Sequence, residues 1–226
     1  MSVRYLGHCA FLFEEATGES LLIDPFGNGS PEYDHWFLKP FPSLEVDLVA
    51  LTHDHFDHNA APVLPEGTPK LNREGTMQVG NTTITGVNDV QSGSSGRSGT
   101  ENIIYVVEHE GVRYCHIGQN RHNIPDNVTE RLGRVDVLMV PVDDSCHLLT
   151  YDEVNHLVES LSPMVVIPMH YRVEGLSTAD AELEGPEGWV RTQSPRRTMR
   201  RSSFRIDRRG LPYEREVWTI PAELAG

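Results

Sequence analysis

The chain has 226 residues, 38% of them hydrophobic and 23% charged, the mixture of a soluble globular protein with enough apolar content for a sizeable core. No apolar run approaches the ~20 residues that cross a bilayer, so no membrane span is expected. A formal net charge of −14 opposes the counterion displacement on which non-specific nucleic-acid binding rests. Cys9, Cys115 and Cys146 are expected as reduced thiols rather than a disulfide framework. The opening Met1–Gly7 has no long apolar core, which makes a cytoplasmic location the expectation.

In chain order, short runs rich in β-branched residues predict strands at Val3–Leu6, Ala10–Phe13, Ser20–Ile23, Asp47–Leu51, Thr82–Val87, Asn102–Val107, Val112–Ile117, Val135–Val140 and Met164–Ile167. Pro62 and Pro65 allow only a short helix after residue 58. Ser92–Gly99 has the composition of a mobile loop. A helix is expected from Pro125 toward Leu132. Another follows Thr150, where Thr150 and Glu153 form a capping box and Tyr151, Val154, Leu157, Val158 and Leu161 make an apolar stripe ending before Pro163. Arg196, Arg197, Arg200 and Arg201 read as a solvated basic loop with no interleaved aromatics. Two last strands, Ser203–Ile206 and Glu214–Ile220, are bridged by the turn signal Arg209-Gly210-Leu211-Pro212. Strands lead and helices enter later, which suits a mixed α/β protein with two sheets covered by helices. No repeat or linker divides the chain, so a single domain over 1–226 is expected.

The strongest chemical signal is Thr52-His53-Asp54-His55-Phe56-Asp57-His58, directly after the apolar run Val46–Leu51. Three imidazoles and two carboxylates within six residues are too costly to bury as core. At the end of a buried strand they are well placed as ligands for a borderline cation such as Zn²⁺. His170 ends a second buried-strand pattern, Val165-Val166-Ile167-Pro168-Met169, and is followed by Tyr171. Taken alone it is a satisfied core histidine; beside the first cluster it becomes a candidate ligand.

Together these residues resemble the metallo-β-lactamase superfamily, whose signature is His-x-His-x-Asp-His after a core strand. Tyr5-Leu6-Gly7-His8-Cys9-Ala10-Phe11 is similar to the family's opening motif, in which serine often stands where Cys9 is. Leu22-Ile23-Asp24-Pro25-Phe26 is similar to its Ile-Asp-Pro turn, and Val140-Pro141-Val142 and Ile167–Tyr171 to its late strand ends. These details point to the branch containing ascorbate-6-phosphate lactonase. The resemblance implies an α/β (α+β) fold, a four-layer αββα sandwich of two mixed sheets with flanking helices, with metal at one rim between the sheets. It further implies that His53, His55 and a third histidine hold one ion, that Asp57, His58 and His170 hold a second, and that an aspartate in a Gly-Asp motif bridges them. A metal-bound hydroxide would then attack an ester, lactone, amide or phosphodiester centre. Zn²⁺ is the expected cofactor, with Mn²⁺ or Fe²⁺ as alternatives, and the expected partner is a small-molecule substrate. Homo-oligomerisation is left open.

Two expected ligands differ. Gln119 follows Gly118 where the bridging aspartate belongs, and counting back from Asn102 puts Gln91 at the third histidine, with Asn88 the next candidate. A neutral amide cannot offset repulsion between two dications, and it is a weak ligand for Zn²⁺. Occupancy by one ion at Asp57, His58 and His170 is therefore favoured over occupancy at His53 and His55. The candidate metal residues are His53, His55, Asp57, His58, His170, Gln91 and Gln119. The candidate catalytic residues are Asp57 and His122, and His8, His122, Asp143 and Asp144 are candidates for binding substrate. Buried Cys9 is expected to behave as a small hydrophobe rather than as a nucleophile paired with His8. His35, His109, His116 and His156 are expected outside the site. Two functions follow: a metal-dependent hydrolase of small lactones, esters or phosphodiesters, or a ligand-binding relative whose catalysis is impaired, by nature or by engineering, at Gln91 and Gln119.

Overall fold

The computed structural model describes residues 1–29, 35–93 and 97–224. Fourteen strands are assigned among them, in two sheets. The first sheet contains β1 (Ser2–Gly7), β2 (Ala10–Glu14), β3 (Ser20–Ile23), β4 (Leu48–Ala50), β5 (Lys70–Leu71) and β13 (Ser203–Phe204), in the order β13-β1-β2-β3-β4-β5. The second contains β6 (Gly75–Val79), β7 (Thr82–Val90), β8 (Glu101–His109), β9 (Val112–His116), β10 (Val137–Pro141), β11 (Val165–Met169), β12 (Arg196–Thr198) and β14 (Glu216–Thr219), in the order β12-β14-β11-β10-β9-β8-β7-β6. Both sheets are mixed. In the first, β1-β2-β3 run antiparallel and β3-β4-β5 parallel. In the second, β9, β10, β11, β14 and β12 are parallel, and β6 to β9 are antiparallel.

The near-continuous apolar runs arise because the first sheet is buried on both faces. Along its strands the pleat sends Phe11, Phe13, Leu21, Ile23, Leu48 and Ala50 into the core between the sheets. Ala10, Leu12, Leu22 and Val49 point the other way, into a second cluster with Phe26, Phe37, Phe41 and Leu64. That outer cover is largely irregular chain with one 3₁₀ turn, Ala61–Val63, so Pro62 and Pro65 limit the helix as expected. The second sheet is covered by α1 (Asp126–Leu132), α2 (Tyr151–Leu161) and α3 (Glu187–Thr192). On α2, Val154, Leu157, Val158 and Leu161 are buried, and the Thr150–Glu153 capping box is formed. The two mixed sheets match the expected αββα sandwich, with the outer layer on the first sheet reduced to that irregular chain and 3₁₀ turn. No described helix is long and apolar enough to cross a membrane.

Two local expectations differ. The late strands do not form a hairpin: β13 joins β1 in the first sheet and β14 joins β11 and β12 in the second. Arg196–Thr198 is an edge strand rather than loop. Arg197 stacks 5.2 Å from the centre of the Trp218 ring and pairs with Glu216 at 3.2 Å, an aromatic partner supplied across strands and invisible in linear order. Within the Ser92–Gly99 stretch, residues 94–96 lie outside the described residues.

Candidate metal centre

Five strands of the two sheets deliver the site to one rim. His8 follows β1, Asp24 follows β3 and His170 follows β11 directly, while Thr52-His53 and Gly118-Gln119 lie two to three residues past the ends of β4 and β9. His8, Asp24 and His170 adopt left-handed backbone conformations, with φ of 52°, 48° and 57°. These are costly for side-chain-bearing residues and are characteristic of functional sites. The turn after β1 is tied to the end of β11 by His170 N–H donating to His8 O at 2.8 Å, which brings the two rings to 4.1 Å. At Gly118, φ is +57° and a Cβ would lie 2.5 Å from Asn102 Oδ1 and 2.7 Å from Thr52 Cβ. Only glycine lets β9 approach β4 so closely.

Among the described residues, one group has ligand atoms close enough to share a cation: His8, Asp57, His58 and His170, all buried and all within 4.8 Å of one another. Asp57 Oδ2 lies 3.3 Å from His58 Nε2 and 3.5 Å from His170 Nε2. A tetrahedral zinc with bonds of about 2.0–2.1 Å spaces its ligand atoms by roughly 3.3 Å, so these three donors fit such an ion. His8 Nε2 donates to Asp57 Oδ2 at 2.9 Å, holding the carboxylate in place. Asp24 is the orienting group behind the site. Its Oδ2 accepts from His58 Nδ1 at 2.7 Å and from the Thr52 hydroxyl at 2.7 Å, and its Oδ1 accepts from Thr52 N–H at 2.8 Å. The Thr52 hydroxyl in turn lies 2.9 Å from His53 Nδ1. One carboxylate thus directs Nε2 of His58 toward the centre and, through Thr52, orients His53.

The electrostatics follow from burial and from these partners. Burial raises the Asp57 carboxyl, but His58 and hydrogen bonds from His170, His58 and His8 outweigh it and hold the group well below the usual carboxylate range. Burial and neighbouring His8 push His170 down to about 3, and burial with His58 and His55 lowers His53. Both are therefore neutral imidazoles, the state a metal requires. Burial also disfavours charge on His58, yet Asp57 and Asp24 outweigh it and push it up to about 10.

The other candidates fall around this group. His53 Nε2 is buried without a hydrogen-bond partner, and His53, His55 and Gln91 line a cleft of about 410 Å³. Gln91 donates to Glu101 O at 3.1 Å, leaving its buried Oε1 without a partner. Gln119 Nε2 lies 2.9 Å from His170 Nε2, 3.0 Å from His58 Nε2 and 3.5 Å from Asp57 Oδ2. His122 pairs with Glu153 at 2.9 Å on the wall of a neighbouring pocket that also includes Gln91. Asp143 accepts hydrogen bonds from Ser145 and His147, and Asp144 from Tyr151 and the first turn of α3. Both aspartates hold loops, and the structure does not bring them into the histidine group. Cys9 is fully buried, and burial pushes its thiol up. His116 is a core residue, bonded to Cys9 O at 2.8 Å. His156, expected apart from every motif, has its ring 5.7 Å from that of His122.

Sequence reasoning missed Trp36 and Phe56, whose rings meet edge to face at 5.3 Å. With His55, His147 and Leu148 they wall a cleft of about 360 Å³ reaching Asp57 and Gln119. No periodicity marks Trp36, because an irregular segment carries it. Asp24 was legible only as part of a turn motif; a carboxylate between Ile23 and Pro25, at the end of a fully buried strand, was the available signal.

A family model described as a β-lactamase superfamily domain matches residues 2–170. The chain is 32% identical over 208 residues to the UPF0173 metal-dependent hydrolase of Thermococcus onnurineus, covering 80% of this chain and 89% of that protein. It is 29% identical over 211 residues to the one from Archaeoglobus fulgidus, covering 80% and 88%. In three dimensions it is similar to a metallo-β-lactamase superfamily protein from Thermotoga maritima, with a TM-score of 0.74, 24% identity and coverage of 98% and 99% of the two chains. Fold, rim and sequence therefore agree, and the chain belongs to the metallo-β-lactamase superfamily.

Proposed function

We propose that the chain is a metal-dependent hydrolase whose reaction uses a single divalent cation held by Asp57, His58 and His170. The observation that carries this reading is the trio's spacing, 3.3 and 3.5 Å about Asp57 Oδ2, with His58 braced from behind by Asp24. The metal-dependent hydrolases of Thermococcus and Archaeoglobus support the same activity class. When bound, such a cation polarises a carbonyl or phosphoryl oxygen and lowers the pKa of water toward neutrality. Zn²⁺ suits two imidazoles and a carboxylate; Mn²⁺ and Fe²⁺ are the alternatives.

The chain's own groups do the rest. His8 keeps Asp57 ionised and oriented. Trp36 and Phe56 offer apolar walls, and His55 and His147 offer polar contacts to a small lactone, ester or phosphodiester, the substrate class also suggested by the resemblance to lactonase-like members. His122, with Glu153 on its Nδ1, serves to orient substrate or donate a proton from the adjoining pocket. Gln91 and Gln119 leave the His53–His55 half short of good ligands, so this half orients rather than holds an ion.

The test is metal analysis of protein purified without chelator, followed by assay against generic lactones, esters and phosphodiesters. One equivalent of metal, with hydrolysis lost in Asp57→Asn and in His170→Ala, is expected. Metal bound only at His53 and His55, or no hydrolysis in metal-replete protein, would favour the ligand-binding relative instead.

A further inference from the structure

We propose that the Gln119 amide occupies the place a cation would take between these side chains, so that metal enters by displacing an amide and occupancy is readily reversible. The inference rests on reading Asp57, His58 and His170 as the ion-holding set. Asp57 Oδ2 already pairs with His8, His58 and His170, and the Nε2 atoms of His58 and His170 share the same buried space. The Gln119 amide nitrogen contacts His170, His58 and Asp57, at 2.9, 3.0 and 3.5 Å. A primary amide brings two N–H donors to the lone pairs of such a group.

The backbone beneath it is fixed. Gln119 N–H donates to Asn102 Oδ1 at 3.2 Å, its carbonyl accepts from Ser92 N–H at 2.7 Å, and Gly118 has no room for a side chain. Only the Gln119 side chain can therefore yield to an ion. A carboxylate at its end would behave oppositely. It would be acceptor-only, a third buried carboxylate beside Asp57 and Asp24, and held there only by a cation.

The experiment uses the full-length chain stripped with chelator. Thermal melting is followed with and without Zn²⁺, and Zn²⁺ affinity is measured by competition with a chromophoric chelator. The decisive variant is Gln119→Glu, which keeps length and exchanges the NH₂ for an anionic oxygen. Stripped Gln119→Glu is expected to melt about 3–8 °C below the stripped wild type. Zn²⁺ should restore that loss and bind the variant at least about tenfold more tightly. Equal melting of the stripped proteins, or Zn²⁺ affinity in the variant no better than wild type, overturns the proposal. Should Gln119→Glu fold under neither condition, Gln119→Leu decides. Lower stripped melting with tighter Zn²⁺ binding upholds the competing amide, and any other result removes it. If wild type binds no Zn²⁺ while the variant does, reversible occupancy and the hydrolase reading of the natural chain both fall. Equal binding by both overturns the competing amide and leaves the hydrolase reading intact.

Discussion

At the scale of single residues, Asp24 carries the heaviest duty. Fully buried and in a left-handed conformation, it accepts three hydrogen bonds and so aligns Thr52 and His58, and His53 through Thr52. Asp24→Asn retains the shape and the tolerance for positive φ but replaces an anionic acceptor facing His58 Nδ1 with a neutral amide. Metal affinity is expected to fall about 10- to 100-fold, read by chelator competition. An unchanged affinity would reduce Asp24 to a backbone brace. The Tyr5 hydroxyl, donating to His8 O at 3.0 Å, gives the His8 side of the same rim a similar, purely structural support.

At the scale of elements, two connections matter. The Thr150–Glu153 capping box starts α2, and the same Glu153 reaches His122, so helix start and candidate site residue share one carboxylate. The turn after β2 sends Glu15 to the β6–β7 turn, where it accepts from Thr82 Oγ1 at 2.6 Å and Asn81 N–H at 2.8 Å. Burial raises the Glu15 carboxyl, but these bonds and nearby His109 outweigh it and lower it below its ordinary value. A depressed carboxyl contributes stability that is present above the unfolded pKa, about 4.3 for glutamate, and is lost as pH falls through the folded value. Glu15→Gln is therefore expected to lower the melting temperature at pH 7 and to flatten its decline below about pH 5. Parallel acid limbs in variant and wild type would contradict the assignment.

For the molecule as a whole, the two sheets must hold their rims in register for histidines from distant strands to meet. Tyr105 of β8 performs part of this task by crossing between the sheets. Its hydroxyl lies 2.9 Å from Leu51 O and 2.6 Å from Leu71 O, at the ends of β4 and β5. Tyr105→Phe takes the hydroxyl from Leu51 O, whereas Leu71 O keeps its bond from Leu51 N–H at 3.0 Å, and is expected to cost about 1–3 kcal/mol in urea unfolding. A change below about 0.5 kcal/mol would show that water replaces the hydroxyl freely.

Much of this architecture was legible in linear order because burial on both faces writes continuous apolar runs, and because three histidines and two aspartates after such a run have no cheap structural explanation. The histidine-rich candidate ligands, the α2 stripe with its capping box, and the strand ends that carry them stood out in that order, and the family resemblance sorted the candidates into sets. Pairing of the late strands, the seat of Trp36 and the partner of Arg197 depended on which edges lay free after the sheets assembled, and no local pattern encodes that. Tertiary structure alone could place the Gln119 amide against His58 and His170, since that contact exists only once β9, β4 and β11 end at one rim. Residue type sets what each group can bind; long-range packing sets which groups must answer one another.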